Sequence, residues 1–287
     1  MRATTIHFPC EVSHLALSRD DKLTVVNATI ETVLFHTKSG KVEYRTDNIF
    51  DGGVNGLCFL QNESGLVACG NDGYGGNGLK VFSPSLELVQ TLVGHDGEVH
   101  CVTVSPSGFH IASGGSGVKV MIWSESGEGG EWARVQVLED HTSWIYAVCF
   151  SPDGKQLATG SLDKSIKTYS FNEGNAILAH TLEGHTGSVK SLSLSPDCKL
   201  LCSGSWDKSI KFWNPADGSL VKSIDQAHTY NVLSVSYSPN GRILVSAGLN
   251  NTMKIWDAET FELKHTFQQE FDTTQATITA DSKYHKR

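Results

Sequence analysis

Four times the chain sets a histidine, a hydroxyl residue and an aromatic at one fixed spacing. The sets are His95, Ser113 and Trp123; His141, Thr159 and Tyr169; His185, Ser203 and Trp213; and His228, Ser246 and Trp256. In each, the hydroxyl residue follows the histidine by 18 positions and the aromatic follows the hydroxyl by 10. Asp163 and Asp207 stand four residues after Thr159 and Ser203. Histidine, serine and aspartate are the parts of an acyl-transfer triad, in which histidine takes the proton of a nucleophilic hydroxyl and a carboxylate orients the histidine. That chemistry needs one exposed nucleophile beside one oxyanion hole. A set that recurs in successive units is a structural frame instead, and repeats must be settled before any residue is read as catalytic. No catalytic residue is assigned.

The frame carries a second mark. Ser105-Pro106, Ser151-Pro152, Ser195-Pro196 and Ser238-Pro239 each begin 10 positions after a histidine. Successive histidines are 46, 44 and 43 residues apart, the length of a supersecondary unit rather than a domain. The 287 residues form a chain of ordinary globular composition, with 39% hydrophobic and 19% charged residues. A net charge of −8 argues against nucleic acid as a partner, because phosphate binding needs clustered Lys and Arg. The basic tail of Lys283, His285, Lys286 and Arg287 is too short to change this. No apolar run approaches the ~20 residues of a membrane helix, and Met1 to Cys10 lacks the apolar core of a secretion signal. Seven scattered cysteines (Cys10, Cys58, Cys69, Cys101, Cys149, Cys198, Cys202) show no disulfide or zinc spacing, so free thiols, a reducing compartment and no metal are expected.

The elements that must position the frame are short strands. In the unit at His185, Val189 to Leu194 alternates polar and apolar residues, as a strand does. Ser195-Pro196-Asp197 turns the chain, Leu200 to Gly204 returns, and Trp206-Asp207-Lys208 turns again. Ser209 to Trp213 and Ser219 to Ile224 complete four strands, with Asn214 to Gly218 between them. Four antiparallel strands per unit and no helical periodicity define an all-β β-propeller of four-stranded blades. Two degenerate units precede the four. Residues 51–93 put Cys69 where the hydroxyl belongs and Phe82 where the aromatic belongs, and residues 12–50 carry three strand-like runs.

These residues resemble the WD-repeat β-propeller family. Gly94-His95 and Gly184-His185 keep its Gly-His pair, which has become Asp140-His141 and Ala227-His228 elsewhere. Trp256-Asp257 keeps the Trp-Asp ending, which has drifted to Trp213-Asn214, Trp123-Ser124 and Tyr169-Ser170. The resemblance covers roughly residues 12–280 and implies one propeller domain over 1–287. Its blades fall at about 12–50, 51–93, 94–139, 140–183, 184–226 and 227–270. An incomplete seventh, 271–287, would close with an N-terminal strand at 4–8, as the last blade of this family usually does; a six-bladed ring with a C-terminal tail is the alternative.

The resemblance also implies a role for the frame. Aspartate accepts from histidine, histidine bonds the Ser or Thr, and that hydroxyl bonds the tryptophan Nε1–H. Such a chain satisfies polar groups buried between strands. Asn250 and Gly117 replace the aspartate in two units, which should make those blades less rigid. The positions that vary inside the frame line the family's top face, where partner peptides bind. Here they are Trp144, Tyr146, Trp206, Tyr230, His100 and Lys190. Exposed aromatics on a rigid face are binding hot spots. Two further segments invite a chemical reading and do not support one. Gly70 to Gly78 could suggest a phosphate loop, but a strand-like run follows it rather than a helix, so it reads as an expanded hairpin turn. Ser124 to Glu131 reads as a flexible acidic turn.

The expected function is a noncatalytic scaffold that binds proteins or peptides within a multiprotein complex, in cytoplasm or nucleus, with no cofactor. A substrate-recognition subunit of a ubiquitin ligase is the alternative, and it predicts a basic top face for which only Lys190 is offered. A propeller enzyme would need carboxylates or metal ligands converging on the central channel.

Overall fold

The computed structural model describes residues 12–18, 22–28, 31–47, 49–60, 64–73, 78–126 and 130–268. Among them the regular structure is entirely β-strand, in six four-stranded antiparallel sheets. Each sheet is a blade whose strands follow chain order outward from the centre. The inner strands are Val12–Leu17, Val54–Phe59, Val99–Val104, Ile145–Phe150, Val189–Leu194 and Val232–Tyr237. The outer strands are Val42–Asp47, Leu88–Thr91, Glu131–Leu138, Asn175–Leu182, Leu220–Ile224 and Leu263–Gln268. Inner strands pack side by side from blade one through blade six. The expected partial seventh blade at 271–287 and its closing strand at 4–8 lie outside the described residues.

The blades stack because their middle strands carry apolar side chains on both faces. Burial is complete or nearly so at Ile111, Ile122, Leu157, Ile166, Leu201, Ile210, Leu244 and Ile255. Close approach of neighbouring blades depends on one position of the second strand. A Cβ on Gly114, Gly160 or Gly204 would sit 2.5–2.7 Å from the Ile145, Val189 or Val232 methyl of the next blade. Outer strands are stapled differently. Gln90 bonds the Trp132 N–H and C=O with its side-chain amide, at 2.8 and 2.9 Å. Gln136 does the same for Ala176, at 2.7 and 2.8 Å. Each glutamine thus supplies one rung of β-pairing between two blades.

The Ser-Pro mark is explained by the turn it begins. Ser105, Ser151, Ser195 and Ser238 accept, through their carbonyls, the N–H of the residue three later, each at 2.8 Å. Their hydroxyls cap the returning strand at His110, Gln156, Leu200 and Ile243. The fourth turn residue is left-handed: Gly108, Gly154 and Gly241 have φ of 82°, 72° and 71°, and Cys198 adopts 59° in the same place. The glycine-rich stretch lies between the paired strands Leu66–Gly70 and Leu79–Phe82, with 74–77 outside the described residues.

One expectation is corrected. Cys69 is not at the hydroxyl position of blade two. Ala68 pairs with Leu57 as Ser203 pairs with Leu192, so Ala68 stands there. Cys69 stands at the glycine position, and its Sγ fits because Gly56 faces it, 2.9 Å from where a Cβ would be. Blade three shows the reverse arrangement, Cys101 opposite Gly114. The sulfur has changed strands while its volume has stayed in place, which the spacing of the frame does not reveal.

Candidate functional site

Two constellations were legible in the sequence, and they lie on different parts of each blade. The first is the histidine frame. In blade five, His185 Nδ1 donates to Asp207 Oδ2 at 2.8 Å and His185 Nε2 meets Ser203 Oγ at 2.7 Å. The Ser203 oxygen also accepts Trp213 Nε1–H at 2.8 Å. Asp207 further accepts the Thr186 and Ser209 N–H groups and the Ser209 hydroxyl. Burial alone would raise the Asp207 pKa, but these donors outweigh it and hold the carboxyl well below its usual range. Blade four repeats this with His141, Asp163 and Thr159, and Asp163 is lowered for the same reasons. Ser203 and Thr159 are fully buried, so no substrate can reach them.

The frame departs from this pattern in three places. Tyr169 keeps Thr159 as a neighbour and adds a second partner. Its hydroxyl donates to Asp140 Oδ2 at 3.1 Å, so the Asp140 that replaces glycine and the Tyr169 that replaces tryptophan are partners. In blade six Asn250 takes the aspartate position beside His228 as a neutral side chain. Thr252 links them, bonding His228 Nδ1 at 2.8 Å and donating to Asn250 Oδ1 at 2.6 Å. His228 still meets Ser246, and Ser246 still accepts from Trp256. In blade three, among the described residues, the His95 ring is bonded through Nε2 to Ser113 alone, and Ser113 accepts from Trp123. Burial pushes His95 and His228 down to about 4, so both are neutral at pH 7.

The second constellation sits where the inner strands begin. Each of the six inner strands has a β-bulge after its first residue. In blades two to six the residue skipped by the pairing is Asn55, His100, Tyr146, Lys190 and Leu233. A bulge leaves one residue unpaired and re-aims its side chain. All five line a central cavity of about 470 Å³. We call the bulged end the top face.

The aromatic residues meet there. His100 stacks on Tyr146 with centroids 5.1 Å apart and lies 5.6 Å from Trp144. Tyr146 meets Trp144 edge-on at 6.3 Å and Trp206 at 5.9 Å. Lys190 Nζ lies 3.5 Å from the Tyr146 centroid and 5.5 Å from that of Trp206. Trp144 and Trp206 remain 45% and 38% exposed, while Tyr146, His100 and Lys190 are half-buried. Tyr230 stands apart from these ring contacts. It is 59% exposed and lies 6.0 Å from Lys208 Nζ. Sequence reasoning placed Glu98, three residues after His95, among the top-face slots but missed Asn55, which donates to Glu98 across blades at 2.7 Å beside the same cavity. Asn55 occupies the bulge slot of a blade without the histidine, so the frame gave no anchor from which to count to it.

Among the described residues no three His, Cys, Asp or Glu side chains are grouped to hold a metal, and no helix is long and apolar enough to cross a membrane. The described cysteines are free, and burial pushes Cys58, Cys101 and Cys149 up to between about 11 and about 12, so they are unreactive thiols.

Comparison with known proteins adds four findings. The sequence profile described as "WD domain, G-beta repeat" matches residues 86–124, 132–170, 177–214 and 218–257. Protein HIR1 of Phaeosphaeria nodorum is 28% identical over 143 residues, covering 45% of this chain and 13% of that protein. A probable cytosolic iron-sulfur protein assembly protein 1 of Sclerotinia sclerotiorum is 41% identical over 85 residues, 28% of this chain and 19% of that protein. A U5 small nuclear ribonucleoprotein 40 kDa protein of Dictyostelium discoideum is 32% identical over 89 residues, 31% and 24%. The chain thus matches less than a quarter of the length of each of these curated relatives.

Proposed function

Because this chain belongs to the WD-repeat family, we propose that it is a noncatalytic scaffold that captures a protein or peptide on the aromatic array of its top face. One observation carries the reading: His100, Trp144, Tyr146 and Trp206 are in continuous ring contact on three neighbouring blades and stay partly exposed. Large aromatics held in place by a rigid support are the residues that dominate binding energy. The half-buried middle of the array and its exposed ends form an anchor with a rim, the usual anatomy of an interface. The partner would belong to a multiprotein complex in cytoplasm or nucleus, as the names of the cytosolic assembly protein and the small nuclear ribonucleoprotein suggest for those relatives. The reading requires no cofactor.

The test is capture from lysate by wild type against a Trp144→Ala/Trp206→Ala double variant, with melting temperatures measured in parallel. Bound partners should be lost while the melting temperature moves by less than about 3 °C, since both rings lie outside the core. A drop of ten degrees or more would show that the rings pack the fold rather than serve a partner.

A further inference from the structure

Lys190 has been given a position and no counter-charge. The bulge turns it toward the cavity, where two ring faces hold its ammonium. Among the described residues no carboxylate lies within 4 Å of its Nζ, and none of its three N–H donors has an acceptor. Glu98, at the same mouth, is engaged by Asn55. A second polar atom there is also unspent: His100 Nε2 is buried without a partner. Burial pushes Lys190 down to about 8, which leaves it largely protonated at neutral pH, and the neighbouring rings favour the charged form.

We propose that the occupant of this mouth is an extended acidic peptide, one of whose Asp or Glu carboxylates lands on Lys190 while an apolar neighbour lies on Trp144 and Trp206. The inference rests on the top-face reading above and specifies its ligand. A carboxylate fits better than a phosphate for two reasons. Dianionic phosphate is held by several cations or by the forked donors of arginine, and this mouth has one lysine and no arginine. The Glu98 carboxylate beside it would also repel a second negative charge more than a first. Nucleic acid is disfavoured on the same count, because successive phosphates need successive cations. A cavity of about 470 Å³ is the size of sites that take a ligand of a few side chains.

The experiment selects random, unphosphorylated twelve-residue peptides displayed on phage against the whole chain. Selected peptides should bind in a manner that needs Trp144 and Trp206, and should share an acid at one fixed register. Replacing that acid by its amide should weaken binding by about tenfold to a hundredfold, the range of a charge-assisted hydrogen bond. Lys190→Gln should weaken the acidic peptide by the same factor and leave the amide peptide unchanged. Lys199→Gln, on an exposed turn at the opposite end of its strand, controls for net charge. Lys190→Gln should not lower the melting temperature, since it removes a desolvated cation with no ionic partner. Tryptophan-dependent peptides without a fixed acid, or equal loss of acid and amide peptides in Lys190→Gln, would overturn the carboxylate assignment and leave the scaffold reading standing. Phosphoserine at the acidic register binding more tightly than glutamate would overturn it in favour of phosphate. No selected peptide, or only peptides indifferent to Trp144 and Trp206, would overturn both.

Discussion

Asp207→Ala should be the most damaging single change at the top of blade five, and its size can be worked from the bonds it breaks. The carboxylate accepts four hydrogen bonds: from His185 Nδ1 at 2.8 Å, from the Thr186 and Ser209 N–H groups at 2.9 Å each, and from the Ser209 hydroxyl at 2.6 Å. Not all four donors would be stranded. Thr186 is exposed, so its N–H can turn to water, and the Ser209 hydroxyl is 3.2 Å from His185 Nδ1 and can take its proton. The buried Ser209 N–H has no such escape, and the rewired histidine loses a charged acceptor. One stranded donor and one weakened bond, at about 1–3 kcal/mol each, give a loss of about 3 kcal/mol. For a chain of this size that lowers the melting temperature by about 5 °C. Asp207→Asn should cost less, about 1–2 kcal/mol, because blade six already works with an asparagine behind a hydroxyl, Asn250 behind Thr252. The pH dependence follows from the depressed pKa. The stabilisation is fully present above the ordinary value of 3.8 and is lost as pH falls below it toward the folded pKa. Urea unfolding of wild type and both variants between pH 7 and pH 3 reads this directly. A loss below about 1 kcal/mol for Asp207→Ala, or equal losses for Ala and Asn at pH 7, would refute the assignment of the carboxylate as the brace.

Three further outcomes are expected. Cys198→Gly should raise stability by about 0.5–1 kcal/mol, because Cys198 holds φ 59° where the other three turns have glycine; an unchanged or lower urea midpoint would show that the turn is not strained. Stability should fall as pH drops from 6.5 toward 4, by up to about 1.4 kcal/mol per pH unit for each of His95 and His228, because the unfolded chain takes up protons that the buried neutral rings refuse. His228→Gln should flatten that slope, and an identical slope in the variant would exclude the histidine as its source. Amide exchange at the top of blade three, where Gly117 leaves His95 bonded through Ser113 alone, should be faster than at the matching positions of blades four, five and six; protection there equal to that of blade five would contradict this.

The last of these revises what the sequence alone suggests. Asn250 and Gly117 both break the aspartate position, and spacing groups blades three and six together as the loose ones. The structure separates them, because Thr252 completes the blade-six network and, among the described residues, no hydroxyl or carboxylate bonds His95 Nδ1 in blade three. Spacing captured the strand order and the blade repeat, and the resemblance to the WD-repeat family supplied the hydroxyl–tryptophan bonds, since each of those is set by backbone register. It could not capture substitutions that compensate each other through space. Asp140 with Tyr169, Gly56 with Cys69 and Thr252 with Asn250 are three such pairs, and each looks like decay when its members are read singly. The bulges were hidden for another reason. A bulged residue makes no ladder contact, so its type is free to vary, and Asn55, His100, Tyr146, Lys190 and Leu233 share no property that a pattern could pick out.

That freedom connects the two constellations. Each matched repeat begins in or just before the outer strand of one blade and ends in or just after the third strand of the next, as residues 132–170 do. The histidine therefore sits on the link between blades, and its bonds to a hydroxyl and a carboxylate pin that link to the following blade. The bulge comes five residues after the histidine, within the span that the pin holds. Blades four and five carry the complete aspartate network, and they also supply Trp144, Tyr146, Lys190 and Trp206. Trp206 stands immediately before Asp207 in the braced turn, so the brace orients a residue of the proposed binding array through one peptide unit. Half-exposed rings contribute to affinity only if they are not free to reorient on binding, because each side chain immobilised at an interface costs about 0.5–1.5 kcal/mol. The most heavily braced blades are thus the ones that can present exposed aromatics at least cost. Loosening Asp207 should weaken capture at Trp206 even where the fold survives.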